Sequence, residues 1–225
     1  NADPAISFEA DGQNDLIVNA GVYSVSELSV LGYATSYANC TDLVIPNGGS
    51  ATCVITNDDI VSRITVTKIV INDNGGTLGV SDFPLFVDQV SVTSGVENSF
   101  AAGAHIVSET GSVGYAASIS GDCALDGSIA LGLGETKSCT ITNDDIAPTL
   151  TVIKIVDNGN TGSTITASDF QMKIDGVDVP QNIAQTEAAG VHVVSESGPS
   201  GYTSAFTAGD CDAQGNVSLG LAEEK

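Results

Sequence analysis

Cys139-Thr140-Ile141-Thr142-Asn143-Asp144-Asp145 restates Cys53-Val54-Ile55-Thr56-Asn57-Asp58-Asp59 at an offset of 143 − 57 = 86 residues. Upstream of the later copy, Thr65-Val66-Thr67-Lys68-Ile69-Val70 returns as Thr151-Val152-Ile153-Lys154-Ile155-Val156, again 154 − 68 = 86. Val-Ser-Glu ends at Glu27, Glu109 and Glu196, with offsets of 109 − 27 = 82 and 196 − 109 = 87. A Gly-Tyr pair follows each Glu, at Gly32-Tyr33, Gly114-Tyr115 and Gly201-Tyr202, and Asp82-Phe83 returns as Asp169-Phe170. Landmarks recurring in one order at a fixed spacing define a tandem array, in which each repeat is one supersecondary unit.

The array is cut out of phase. Residues 60–146 form a complete repeat that opens with the Lys run and closes with the Asn run. Residues 1–59 hold the later part of a first repeat, with its first strands missing, and residues 147–225 form a third repeat lacking its final strand. The opening Asn1-Ala2-Asp3-Pro4 has no basic start followed by an apolar stretch, so a leader was removed or the chain is a window on a longer polypeptide. A sharper reading has neighbouring subunits donate the missing strands, as in strand addition.

Local patterns are β throughout. Ile64 to Ile71, Thr149 to Val156 and Val191 to Glu196 are β-branched runs of strand length. Between such runs lie turn-formers such as Asn47-Gly-Gly-Ser50, Asn72-Asp-Asn-Gly-Gly76, Asp126-Gly127, Asn158-Gly-Asn-Thr-Gly162 and Asp175-Gly176. Several strands in each ~85 residues imply an all-β chain of tandem β-sandwich domains. Pro148 reads as a stiff connector between repeats, which suits an extended rod.

Period-two alternation places three polar residues on apolar faces. Ile64, Val66, Lys68 and Val70 share one face, and so do Leu150, Val152, Lys154 and Val156. Cys139, Ile141 and Asn143 align likewise, as do His105, Val107 and Glu109, His192, Val194 and Glu196, and Tyr23, Val25 and Glu27. Burying a Lys, a Glu and an Asn in one small sandwich is costly unless they meet.

These residues resemble the Cna-B-type (SpaA-like, prealbumin-like) repeats of bacterial surface adhesins and pilins. The Lys run, the Val-Ser-Glu…Gly-Tyr box and the closing Ile-Thr-Asn carry the likeness across essentially the whole chain. The box departs from the family in one way, being one residue shorter between Glu and Gly and lacking an Ala-Pro. The resemblance implies a prealbumin-like (Ig-like) sandwich in which a Lys amine attacks an Asn side-chain amide, releasing ammonia and leaving an intramolecular isopeptide bond. Desolvation favours a neutral amine beside a protonated carboxyl, which polarises the amide carbonyl and shuttles protons. By this reading Lys68 bonds to Asn143 with Glu109 as promoter. Lys154 with Glu196 awaits an Asn after residue 225, and Asn57 with Glu27 awaits a Lys before residue 1.

Cys40 and Cys53 recur as Cys123 and Cys139, which gives the disulfides Cys40–Cys53 and Cys123–Cys139 and leaves Cys211 with a partner outside the chain. The spacings lack the close Cys pairs of zinc sites, and disulfides place the chain outside the cytoplasm, extracellular or at the cell surface. His105 and His192 stand where Tyr23 stands in the first copy, and read as packing residues. Asp73, Asp144 and Asp145 offer weak Ca²⁺ ligands with no complete EF-hand loop, and no other cofactor is expected.

Of 225 residues, 28 are acidic and 6 basic, for a net charge of −22, so no basic patch serves nucleic acid or an anionic membrane. No apolar run is long enough to cross a bilayer. No nucleophile elbow, phosphate loop or zinc signature suggests an enzyme, and the one reactive constellation would consume itself. The leading expectation is a structural segment of an extracellular filament, fibre or stalk, with neighbouring repeats or identical subunits as partners. The alternatives are an adhesin for glycans or host proteins, and a subunit that polymerises by donated strands.

Overall fold

A computed structural model of the chain describes residues 12–159 and 161–225. The opening Asn1 to Pro4, and Asn160 of the second Asn-rich turn, lie outside the described residues. The chain divides into two compact units, Asn1–Val61 and Ser62–Lys225.

Within the second unit the complete repeat is a two-sheet sandwich. One sheet has the order Tyr115–Gly121, Thr136–Asp145, Ser62–Ile71, Glu97–Phe100. The other runs Ser128–Leu131, Gly103–Glu109, Leu85–Val87, Val90–Val92. Ser62–Ile71 is the Lys strand, Thr136–Asp145 the Asn strand and Gly103–Glu109 the Glu strand. The Lys and Asn strands lie side by side and parallel, from Thr136↔Arg63 to Asp144↔Ile71. Closing this ladder brings together segments about seventy residues apart, at a loop-closure cost that grows only slowly with that separation. Alternation is as the sequence implies: Ile64, Val66 and Lys68 are buried, and so are Cys139, Ile141 and Asn143. They close on Leu85, Val87, Val107 and Ile129 from the facing sheet.

The third repeat reproduces the second sheet, in the order Val177–Val179, Gln171–Ile174, Gly190–Ser197, Asn216–Leu219. It has its own core around Leu150, Met172, Ile174 and Val217. Its other sheet is hardly laddered. The expected strand from Thr149 to Val156 is cut down to Thr149–Leu150, which pairs with Gln185–Thr186 on one side and bridges Glu224 on the other. Residues 202–208, which correspond to Tyr115–Gly121 of the complete repeat, form no strand either. In the complete repeat each of these segments takes its main ladder from the Asn strand, of which only the first residues have counterparts among the 225, at Glu224 and Lys225. Residues 223–225 begin that missing ladder. Thr149 donates its N–H to Glu223 O at 2.8 Å, Lys225 donates to Thr149 O at 3.0 Å, and Thr151 donates to Lys225 O at 2.7 Å.

The two repeats of this unit touch across Pro148, which is fully buried and accepts the Glu187 N–H through its carbonyl. Ala189 donates its N–H to Asn74 O at 2.7 Å, and Ala222 donates to Ile146 O at 2.8 Å. Gly75, at φ +91°, permits this approach, because a Cβ there would stand 2.5 Å from Ala189 O.

The first unit consists of two ribbons, Gly21–Tyr23 with Leu43–Ile45 and Tyr33–Ala38 with Val54–Asp59. Among its described residues only Gly32 and Cys40 are buried, and Leu28 and Leu31 are almost fully exposed.

Candidate functional site

The site of the complete repeat is assembled across the two sheets. In the parallel register Lys68 stands opposite Ile141, so Asn143 is the next residue along the Asn strand on the same inward face. Glu109 arrives from the facing sheet at the end of the Glu strand. Lys68 Nζ lies 2.7 Å from Glu109 Oε2, with the two side chains 0% and 8% exposed. The contact is an ion pair by distance. Lys68 Nζ, both Glu109 carboxylate oxygens and Asn143 Oδ1 are nevertheless buried without a well-angled hydrogen bond. Such a group of unsatisfied atoms costs free energy. Burial pulls the Lys68 ammonium below the ordinary lysine pKa, outweighing the raising effect of Glu109.

An aromatic floor supports the amine. A single 3₁₀ turn, Val80–Asp82, is held by the Asp82 carboxylate accepting the Gly79 N–H at 2.7 Å, and delivers Phe83 beneath Lys68. Lys68 Nζ is 4.6 Å from the Phe83 centroid, and the Tyr115 ring meets Phe83 edge-on at 5.3 Å. Tyr115 in turn donates its hydroxyl proton to Asn72 Oδ1 at 2.6 Å and accepts the Leu78 N–H. Phe83, Tyr115 and Asn72 were not assigned roles from the sequence, although Asp-Phe and Gly-Tyr recur in it at the repeat spacing. That recurrence was the available signal.

The third repeat holds the same constellation without an Asn. Lys154 Nζ lies 2.7 Å from Glu196 Oε2 and 4.4 Å from the Phe170 centroid, and Tyr202 meets Phe170 edge-on and donates to Asn158. Its pair is more open, with side chains 16% and 19% exposed. The first unit holds the complementary fragment. Thr35 Oγ1 lies 2.7 Å from Asn57 Oδ1 and 3.1 Å from Glu27 Oε1, and its one proton serves one acceptor at a time. Glu27 is half-buried there and Asn57 exposed.

Disulfides join Cys40 to Cys53 and Cys123 to Cys139, while Cys211 is a free, half-buried thiol. Burial, with Asp210 and Asp212 alongside, pushes the Cys211 pKa up. Asp73, Asp144 and Asp145 bring ligand oxygens within 4.8 Å of one another, so they are the residues that could hold a metal ion. Asp145 already has a different use. Its buried carboxylate accepts N–H groups from Asp73, Asn74 and Gly76, at 2.6 Å for Gly76. Burial raises its pKa, but these donors outweigh burial and hold it below the ordinary carboxylate value. His105 and His192 are buried as the sequence implies, and each is also paired through its ring nitrogens to an Asp and a backbone carbonyl.

Tandem β modules that each hold an internal Lys–Glu pair, the complete one with a parallel first-to-last ladder, define the class of protein. Residues 59–141 and 145–222 each match the SpaA-type prealbumin-like fold domain. The chain belongs to that family. Domains of this kind are typically structural rather than enzymatic, and together with disulfides they are typical of extracellular or surface proteins. A search of solved structures finds a likeness to the Bacillus anthracis TIE protein, at 17% identity and a TM-score of 0.44, over 77% of this chain and 34% of that one. This chain thus spans about a third of that protein's length. No curated protein matches it. No helix among the described residues is long and apolar enough to cross a membrane.

Proposed function

We propose that the chain is a load-bearing segment of an extracellular filament, fibre or surface stalk, and that its complete repeat is locked by an isopeptide bond between Lys68 and Asn143. The amine of Lys68 attacks Asn143 Cγ, the C–N bond to the side-chain nitrogen breaks, and that nitrogen leaves as ammonia. Glu109 carries the proton from the attacking amine to the leaving one. The observation that carries this reading is the burial of Lys68 and Asn143 on neighbouring parallel strands, with Glu109 at 2.7 Å from Nζ. Strands of a packed sandwich hold the reacting atoms close and exclude water, supplying much of the rate.

The mechanical consequence follows from topology. A covalent link between neighbouring first and last strands keeps pulling force from extending anything between them. The acidic surface keeps such a chain dispersed at high local concentration.

Mass spectrometry of the intact chain after disulfide reduction tests the bond. One bond lowers the mass by one ammonia, about 17 Da, and Lys68→Ala or Glu109→Ala restores the full mass. An unshifted native mass rejects the bond and leaves an uncrosslinked β module.

Strand addition has its own supporting observation. Residues 223–225 open a parallel ladder at Thr149, and residues 151–156 present the unladdered continuation with Ile153 and Ile155 exposed. A strand of the Asn type would complete this edge, from succeeding polypeptide or from a neighbouring subunit.

A further inference from the structure

We infer that each of the two later repeats carries a pH-sensitive latch, in which a doubly protonated histidine ties a hairpin turn to the strand that bears the glutamate. His105 Nδ1 lies 2.6 Å from Asp88 Oδ2, and its Nε2 lies 2.8 Å from Ala101 O. His192 repeats the arrangement, with Nδ1 2.7 Å from Asp175 Oδ2 and Nε2 2.8 Å from Ala188 O. Both partners of each ring are oxygens with no proton to give. A neutral imidazole has one N–H and one lone pair, so it would satisfy one oxygen and turn its lone pair on the other. Only the imidazolium makes both bonds.

The oxygen partners are fixed in place. Asp88 sits at φ 48° in the turn between Leu85–Val87 and Val90–Val92, and its Oδ1 accepts the Ile106 N–H at 2.9 Å. Asp175, also at φ 48°, occupies the turn between Gln171–Ile174 and Val177–Val179, and accepts the Val193 N–H at 2.8 Å. Each carboxylate therefore bridges the backbone of the Glu strand and the histidine on it, with the glutamate four residues further along the same face. The rings are buried while Asp88 and Asp175 are 44% and 49% exposed, so protons reach the pair from solvent.

The neighbouring groups push in one direction. Phe100 presents an edge contact to His105, and Asp122 lines the same shallow surface hollow. Glu187 adds a second carboxylate near His192. For His105 the Asp88 bond is the largest influence and raises the pKa above the ordinary 6.5. For His192 burial acts downward, but Ala188, Asp175 and Glu187 together overcome it. The folded values are raised, so the histidine contribution is complete below the unfolded value of 6.5 and is lost as pH rises through the folded value. Asp88 and Asp175 are depressed, so their contribution is present above the ordinary 3.8 and is lost as pH falls through the folded value. The latch is closed between these limits.

The first unit supplies the uncharged version. Tyr23 occupies the histidine position and donates its hydroxyl to Asn19 O, four residues back, just as Nε2 reaches Ala101 and Ala188 four residues back. A tyrosine keeps the carbonyl bond through a hydroxyl in place of the ring nitrogen.

The test is an ¹⁵N–¹H long-range NMR titration of the full chain labelled at histidine, which carries two such residues. Both rings are expected to carry protons on both nitrogens at pH 6 and to titrate with midpoints above the ordinary 6.5. Asp88→Asn should lower the His105 midpoint and leave His192 unmoved, and Asp175→Asn should do the reverse. A midpoint at or below 6.5, or one unmoved by loss of its Asp, overturns the latch. Thermal unfolding provides a second readout. The native chain should lose more stability than a His105→Tyr/His192→Tyr chain as pH rises from below 6.5 through the folded histidine values, and parallel losses would overturn the latch as a stabilising device.

Discussion

The Lys run of the complete repeat and its copy in the third repeat differ little in sequence, and only one is a full strand. Residues 62–71 lie between the Asn strand and Glu97–Phe100 and are laddered along their length. In the third repeat, residues 151–156 have the same alternation of apolar and polar positions, the same Lys–Glu contact and the same aromatic floor, yet no ladder. The difference teaches which interaction comes first. Inward packing of Val152 and Lys154 survives without the Asn strand, because the facing sheet, Phe170 and Glu196 suffice to hold it. Backbone pairing does not survive, because its partner is another segment. Tight burial goes with the pairing, as the Lys68 pair is nearly sealed and the Lys154 pair is not.

The largest change expected comes from erasing this difference. Appending residues 138–145 directly after Lys225 places an Asn strand in the register that Glu223–Lys225 begin. Amides of residues 151–156 should become protected from hydrogen exchange, and a second loss of about 17 Da should report a bond to Lys154. Unprotected amides would show that the third repeat is not waiting for this strand.

Next in size is the paired substitution of the two lysines. Lys68→Ala leaves Glu109 buried and unpaired, at a cost of about 3–5 kcal/mol. Lys154→Ala, at the more open pair, should cost about 1–2 kcal/mol, between the surface and buried regimes. Residue-resolved hydrogen exchange in denaturant measures both, and equal losses would erase the contrast in burial.

Replacing Cys123 and Cys139 by Ser together should cost about 3 kcal/mol from the loop they close, felt in the complete repeat alone, since the matching Cys211 is free. Denaturant midpoints with and without reductant check this.

The smallest expected effect is at the junction between the two repeats. Asp145→Asn should cost about 1–3 kcal/mol by removing a charged acceptor from backbone donors. Because the folded Asp145 pKa is depressed, its contribution is present above the ordinary 3.8 and is lost as pH falls through the folded value, so native and Asp145→Asn chains should converge in acid. Melting curves from neutral to acidic pH decide it.

Much of this was legible in the residues. Alternation put Lys68, Asn143 and Glu109 on inward faces, and the repeat spacing matched the cysteines, because side-chain direction in a strand follows from period two and needs no tertiary information. The length of the strand at Thr149 was not legible. Its β-branched composition shows what a segment favours, while a ladder depends on an edge supplied from elsewhere in the chain. Nor was Asp145 as an acceptor of turn amides legible, since its donors at Asp73, Asn74 and Gly76 lie about seventy residues upstream.

The sequence by itself determined the array, its period, the all-β class and the inward set of polar residues, all properties of spacing along one strand. Only the tertiary structure decided which of those residues meet. It put Lys68 beside Asn143 by running the first and last strands parallel, brought Glu109 across from the facing sheet, and slid Phe83 beneath the amine. It also gave each histidine two oxygens. Distances between segments depend on how sheets close over one another, and no periodicity within a segment encodes them.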